Sequence, residues 1–289
     1  MISLIVCSAN INIFKKFKDS VQKTIGIEHE IVRIDNMQNL YGICEAYNLG
    51  ASKAKFDLLC FVHEDVAFLT KNWGEILLNY FINKTTGLLG IAGTQYKTKT
   101  TGGWWTSGPL TKIKLVQGNK NKSKSPQAIN QSASNYELGV CIDGVFMVTP
   151  KKVWNEIRFD ENTLKKFHCY DLDYSFYVFQ KGYDILICYD ILLEHFSDGN
   201  YDKTWYEQTV ILHKKWSRCL PISLPCIPEK EKIKAEWEIK KSMTRFLVQN
   251  KYPIGVILKN IFGKMYKFSL KKCLICIIEI YKAKKTNKT

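Results

Sequence analysis

The chain has 289 residues, of which 46% are hydrophobic and 24% charged, an ordinary globular composition that excludes intrinsic disorder. Its formal net charge is +15, but the excess is local: Pro228 to Thr289 holds 16 Lys and Arg against 5 acids, net +11, whereas the rest holds 26 against 22, net +4. This length allows one large domain or one domain with an appendage; the charge step favours the second, a domain over 1–220 and a helical, basic, amphipathic region over 221–289.

Ile2 to Val6 is short and apolar and reads as a buried strand. MISLIV runs straight into a turn without the basic start and long apolar stretch of a secretion signal, so the chain is expected to stay in the cytoplasm. Ile13, Phe14, Phe17 and Val21 recur at helical spacing across Ile11 to Thr24. Glu30 to Ile34 alternates into Asp35 as a second strand, Leu40 to Ala54 is helical with Gly50 inside it, and Leu58 to Val62 is a third, wholly apolar strand. Strand, helix, strand, helix, strand predicts an α/β domain with a mainly parallel sheet. Ligands in such folds gather at the carboxyl ends of the strands, which here carry Ser8-Ala9-Asn10, Asp35-Asn36 and His63-Glu64-Asp65.

Farther along, Trp73 to Phe81 reads as a helix and Leu88 to Ala92 as a strand, followed by a Gly/Thr/Trp-rich loop through Gly108. Asn119 to Asn135 is polar and Lys/Ser-rich and reads as a mobile excursion. Strands Leu138 to Ile142 and Val145 to Val148 flank Asp143-Gly144, and a helix at Tyr170 to Lys181 leads to a strand at Asp184 to Cys188. Thr204 to Trp216 is a further helix, after which Pro221, Pro225 and Pro228 mark a boundary. The ten cysteines sit mostly in apolar runs, as Cys7, Cys60 and Cys188 do, and read as packed thiols. Cys273 and Cys276 form a C-x-x-C without the second pair a zinc site needs.

Two acidic clusters stand out. In FDLLCFVHEDVAF, acids and a histidine emerge at the end of a buried strand, where a hard divalent cation finds carboxylate oxygens with positions left open for phosphate; a solvated turn is the plainer reading. In RFDENTLKKFHCYDLDYSF, His168, Asp171 and Asp173 open a helix, where acids are also favoured by capping and the helix dipole.

The ordered set SLIVCSAN, IDN, AYNLGASKA, FVHEDV, DGVFM and FHCYDLD, spread over roughly residues 1–218, resembles the family 2 glycosyltransferases. The H-x-D-V in place of the usual D-x-D is similar to the branch named for a streptomycin-biosynthesis protein. The resemblance implies a three-layer GT-A fold, a nucleotide-diphosphate sugar donor, Mn²⁺ or Mg²⁺ as cofactor, and an inverting transfer to a glycan or lipid-linked acceptor. It places Asp35 and Asn36 at the base or ribose, Asn48 and Gly50 along the nucleotide cleft, Asp65 on the metal and Asp171 as general base. Ser8, Asn10, His63 and Glu64 fall on the donor side by their place at the strand ends.

His195, in LLEHFSDG, is either a late ligand of the cation or a structural histidine. Trp104 and Trp105 suit stacking on sugar faces or a buried pair, and Asp143 suits sugar hydroxyls or a turn with Gly144 supplying the awkward dihedral. His168 and Asp173 belong with that acceptor or sugar set, although Asp173, two residues from Asp171, points elsewhere on the helix and suits an anchor.

Beyond the boundary, Ile254, Ile257, Leu258, Ile261, Phe262, Met265 and Phe268 share one helical face, with Lys259, Lys264, Lys267 and Lys271 off it. Such a helix fits an anionic membrane surface, peripheral on the inner leaflet, or packs on the domain. Three other functions compete. A sugar nucleotidyltransferase needs a Gly-rich loop after the first strand, and SANINIFKK has no glycine. A nucleic-acid binder would share its basic and aromatic residues on one surface, whereas here the basic excess and the acidic cleft lie apart, so no nucleic acid is expected. A non-catalytic carbohydrate-binding module has no need of ordered nucleotide, metal and base motifs.

Overall fold

The computed structural model describes residues 1–105, 108–118, 126–129, 133–197, 199, 201–263, 275 and 278. In chain order the elements are β1 (Ile2–Ser8), α1 (Ile11–Thr24), β2 (His29–Asp35), α2 (Ile43–Lys53), β3 (Leu58–Val62), β4 (Val66–Phe68), α3 (Trp73–Tyr80), β5 (Thr86–Gly90), β6 (Ala92–Thr94), β7 (Tyr96–Lys97) and β8 (Thr111–Gln117). They continue as β9 (Pro126–Ile129), β10 (Tyr136–Gly139), β11 (Cys141–Ile142), β12 (Phe146–Pro150), α4 (Lys151–Ile157), α5 (Tyr170–Gln180), β13 (Asp184–Cys188), β14 (Leu193–His195), α6 (Lys203–Lys215), β15 (Ile222–Ser223), α7 (Glu229–Gln249) and α8 (Ile254–Phe262).

The alternation of β1 builds a three-layer core. Ile2, Leu4 and Val6 pack with Phe17 and Val21 of α1 on one face, while Ile5 packs with Tyr47 and Ala51 of α2 on the other. Asn10 starts α1 by accepting the backbone N–H groups of Asn12 and Ile13. The main sheet has the order β10-β13-β5-β12-β3-β1-β2. It is mixed: β2, β1 and β3 are parallel, as are β5 and β13, whereas β12 runs antiparallel to both β3 and β5, and β10 to β13. The sheet is therefore less parallel than the strand–helix alternation of the first 62 residues predicts, because β12 inserts between β3 and β5.

A second sheet, β11-β6-β8-β14-β4 with β9 on β8, stands against the first. Two stretches that read as single strands are each divided between the sheets. Leu88–Ala92 changes sheet at Ile91, and Leu138–Ile142 at Val140. The crossing brings backbones close: a Cβ on Gly93 would lie 2.4 Å from the Cys141 carbonyl. Part of the expected excursion, Pro126–Ile129, is a strand on β8; residues 119–125 and 130–132, Cys273, Cys276 and the extension of the last helix through Met265 and Phe268 lie outside the described residues. The described cysteines are free thiols. No helix among the described residues is long and apolar enough to cross a membrane.

α7 departs most from the expected division at residue 220. Glu236 is fully buried and accepts hydrogen bonds from Tyr96 Oη (2.9 Å), the Lys99 N–H (2.5 Å) and the Thr100 N–H (2.9 Å), while Ala235 joins the main core. The helix is thus fastened to the strand-to-loop turn after β7.

Candidate active site

The strand ends, the N-terminus of α5 and the walls of α6 and α7 enclose a cleft of about 1210 Å³. Three of its groups converge because of one strand pairing. β3 ends at Val62, the chain turns through His63-Glu64-Asp65, and β4 then pairs antiparallel with β14 so that His195 lies opposite Val66. The Phe196 N–H donates to the Asp65 carbonyl, and His195 Nε2 comes within 3.5 Å of Asp65 Oδ1. His63 Nδ1 lies 3.9 Å from the same oxygen. Ligand atoms of His63, Asp65 and His195 all fall within 4.8 Å of one another.

The donor set of two imidazoles and one carboxylate suits a divalent transition ion with open positions. His195 Nε2 is buried and has no hydrogen-bond partner, as expected of a nitrogen whose lone pair serves a cation. The tautomer of His63 follows from its neighbour. Tyr170 Oη donates its one proton to the Gly144 carbonyl (3.0 Å), so it accepts from His63 Nε2 at 2.8 Å. The Nδ1 lone pair is left facing Asp65, as in metal-binding histidines whose other ring nitrogen donates to a fixed acceptor. Burial holds the His63 pKa below its ordinary value against the pull of Asp65, which favours the neutral ring. At Asp65, burial acts to raise the pKa, but the neighbouring His195 and His63 imidazoles outweigh it and hold the carboxyl below its usual range.

Beside these groups lies a pair of carboxylates. Asp171 sits in the first turn of α5, two residues after Cys169, whose left-handed φ of 71° is a strained conformation for a residue with a side chain. Asp171 Oδ2 accepts the Gly144 N–H at 3.0 Å and Oδ1 the Leu172 N–H at 2.9 Å. Asp143 Oδ1 accepts the Val145 N–H at 2.9 Å, and its Oδ2 accepts Trp104 Nε1–H at 2.7 Å. Burial, then the charge of Asp143, raises the Asp171 pKa to about 7 in spite of those backbone donors. A carboxylate so tuned takes up a proton at neutral pH far more readily than an ordinary aspartate. Gly144 permits the close approach: a Cβ there would lie 2.1 Å from Tyr170 Oη.

The cleft brings together Asn36, His63, Glu64, Asp65, Trp104, Trp105, Asp143, Gly144, His168, Asp171 and His195 of the residues singled out in the sequence. Glu64 lines it with its carboxylate already accepting the N–H groups of Ala9 and Asn10, and the Asn36 amide brackets Tyr41. Six others are not among the lining residues. Ser8 is buried and accepts from Arg33 Nε, Asn10 caps α1, and Asp35 stands exposed beside Arg33 at the end of β2. Asn48 does not follow the nucleotide cleft: its amide ties α2 to the Phe159 backbone, Glu161 and the Trp154 indole. Gly50 packs on Ile5, where a Cβ would lie 2.3 Å from the isoleucine methyl group. Asp173 is an anchor and not a sugar contact, being 2% exposed and held by Lys215 Nζ and Trp216 Nε1.

Residues the sequence did not single out complete the site. Tyr170 orients His63, and Phe167, Tyr201, Trp205, Ile239, Met243 and Phe246 add apolar wall. Tyr170 was adjacent to the acidic motif, but its role depends on contacts with residues 26 and 107 positions away.

Residues 3–217 match a family model described as a glycosyltransferase-like family. No curated protein sequence matches the chain. Among solved structures, a mannosyltransferase of Pyrobaculum calidifontis in complex with GDP-Man and Mn²⁺ superposes with a TM-score of 0.54 at 9% identity, covering 98% of this chain and 80% of that one. The crystal structure of GalNAc-T7 with UDP, GalNAc and Mn²⁺ gives 0.51 at 13% identity, covering 88% of this chain; the chain spans 58% of that protein's length. At these identities the likeness is one of fold, and the fold is that of GT-A enzymes.

Proposed function

The chain belongs to the glycosyltransferase-like family whose model spans residues 3–217, and on that premise we propose that it transfers a sugar from a nucleotide-diphosphate donor to a hydroxyl of a glycan or lipid-linked acceptor, with Mn²⁺ or Mg²⁺ as cofactor. The single observation that carries this reading is the placement, in one cleft, of the His63–Asp65–His195 cluster and the Asp171 carboxylate. The fold neighbours carry GDP-Man or UDP together with Mn²⁺, which supports the same class of donor and ion here. In our reading the H-E-D-V segment sets the chain near the streptomycin-biosynthesis-type branch of family 2.

Asp65, His195 and the free Nδ1 of His63 would hold the cation, whose chemistry is to neutralise charge on the departing diphosphate. Asp171 removes the proton of the acceptor hydroxyl as that oxygen attacks the anomeric carbon. A single displacement of this kind needs one base and inverts the anomeric centre. Asp143 fixes the Trp104 indole over this corner and keeps Asp171 basic. The donor lies along the strand ends at Asn36 and Glu64, and Asp35 stands at their edge. The basic region after Pro228 supports a peripheral place on an anionic, inner membrane face, in keeping with assembly of a bacterial surface glycan.

Asp171→Asn keeps size and hydrogen bonding but loses the proton acceptor. With a nucleotide sugar that the wild type turns over, transfer should fall by about 10²- to 10⁴-fold while Mn²⁺-dependent donor binding survives. Near wild-type transfer by Asp171→Asn would take the role of base away from this carboxylate.

A further inference from the structure

The family match ends at residue 217, yet the cleft does not: Ile239, Ser242, Met243 and Phe246 of α7 line it. We infer that α7, with the Gly102–Trp105 loop and the aromatic residues Tyr201 and Trp205, forms a second subsite in the cleft that takes the ring face of a pyranose acceptor. The inference rests on the glycosyl-transfer reading above and names the acceptor's chemistry and its place.

The wall is built, and not a chance apposition. Glu236, one turn before the cleft-lining residues of α7, is a buried carboxylate holding Tyr96, Lys99 and Thr100, so the loop leaving β7 is fixed against the helix by three charge-assisted hydrogen bonds. Ile239 then meets Gly102 so closely that a Cβ on the glycine would lie 2.5 Å from its methyl group. From α6, the Trp205 indole reaches Gly103, and Trp205 makes edge-on contacts with Tyr201 (5.1 Å) and Phe246 (5.3 Å). Trp104, next in the loop, donates to Asp143 and packs edge-on against Trp105 at 5.7 Å. Ring contacts thus run from Phe246 of α7 to Trp205, which meets the loop at Gly103, and Trp104 of that loop is hydrogen-bonded to Asp143.

Three features select a sugar as the occupant. Trp105 and Tyr201 are 45% and 62% exposed, so ring faces remain open at the mouth. Trp104 is hydrogen-bonded to Asp143, which with Asp171 offers carboxylate oxygens to hydroxyl groups, and a pyranose has both apolar C–H faces and a rim of hydroxyls. Finally, a volume of about 1210 Å³ exceeds the roughly 300–1,000 Å³ of a single-ligand pocket, leaving room for a second ligand beside the donor.

The test uses the full chain, Mn²⁺, a nucleotide sugar that the wild type turns over, and a panel of methyl and para-nitrophenyl pyranosides as acceptors. Ser242 is exposed on α7 and lines the cleft, so Ser242→Arg obstructs the subsite from a position that the core does not use. Phe246→Ala removes one ring. Both should raise the acceptor KM, about fivefold or more, with the calorimetric donor Kd unchanged, and both should weaken the glycoside-induced change in tryptophan fluorescence measured without donor. An unaltered acceptor KM and fluorescence response in both variants, with donor Kd intact, would overturn the subsite. Failure of the wild type to bind any nucleotide sugar, with or without glycoside binding, would instead remove the reading beneath it.

Discussion

Asp171 and Asp143 share one corner of the cleft, and their mutual repulsion sets how the reaction should respond to pH. The Asp171 carboxyl, raised to about 7 by burial and by Asp143, is protonated and unable to accept a proton below that value. In free enzyme and substrate, log kcat/KM should therefore rise with pH to a plateau beginning near 7. Asp143→Asn removes the neighbouring negative charge and should move that limb to lower pH. A limb unmoved by Asp143→Asn would detach the profile from this pair. The acids and histidines of this corner were legible in the sequence because charged groups at the ends of buried strands and at the start of a helix have few other homes. Their partners were not. Asn48 matches the motif, yet its amide serves Phe159, 111 positions away, and the face of α2 it occupies is set by packing that no local pattern encodes.

At the scale of elements, β1, α1, β3, α5 and β13 stand within a few residues of their predicted places, since strict apolar runs and 3.6-residue spacing leave little choice. The packing of α7 against the cleft was not legible because its buried face is not wholly apolar. Glu236 and Lys240 lie on it beside Ala235, Ile239, Met243 and Leu247, and both charges are hydrogen-bonded by partners distant in sequence. Glu236 holds the loop after β7, and Lys240 Nζ donates to the carbonyls of Asn260, Ile261 and Gly263 at the end of α8, where a cation also meets the negative end of the helix dipole. The sequence thus reads as a charged surface helix although it closes the cleft. Ending the chain after Pro228 should strip the partners from Tyr96, Lys99 and Thr100, lower the melting temperature and expose apolar surface to a reporter dye, whereas ending it after Gln249 should retain the cleft wall. Equal melting curves for the Pro228 truncation and the full chain would contradict this coupling.

For the whole molecule, α8 divides its apolar residues between α7 and the outer surface. Ile257 and Ile261 are buried against Met243, Leu247 and Val248 of α7, while Ile254, Leu258 and Phe262 face outward, 54%, 39% and 43% exposed. Packing on the domain and facing a membrane are therefore not exclusive. Ile254→Glu with Leu258→Glu should abolish sedimentation with anionic vesicles and leave the melting temperature unchanged; undiminished vesicle binding would place any membrane contact elsewhere.

Binding of a sugar nucleotide in this cleft through a cation held at Asp65 can be read by calorimetric titration of a panel of UDP- and GDP-sugars into the full chain with Mn²⁺ and again with excess chelator. We expect at least one donor to bind in Mn²⁺ and to lose that affinity both with chelator and in Asp65→Asn. No donor binding in Mn²⁺, or binding that neither the chelator nor Asp65→Asn alters, would contradict the assignment of this site.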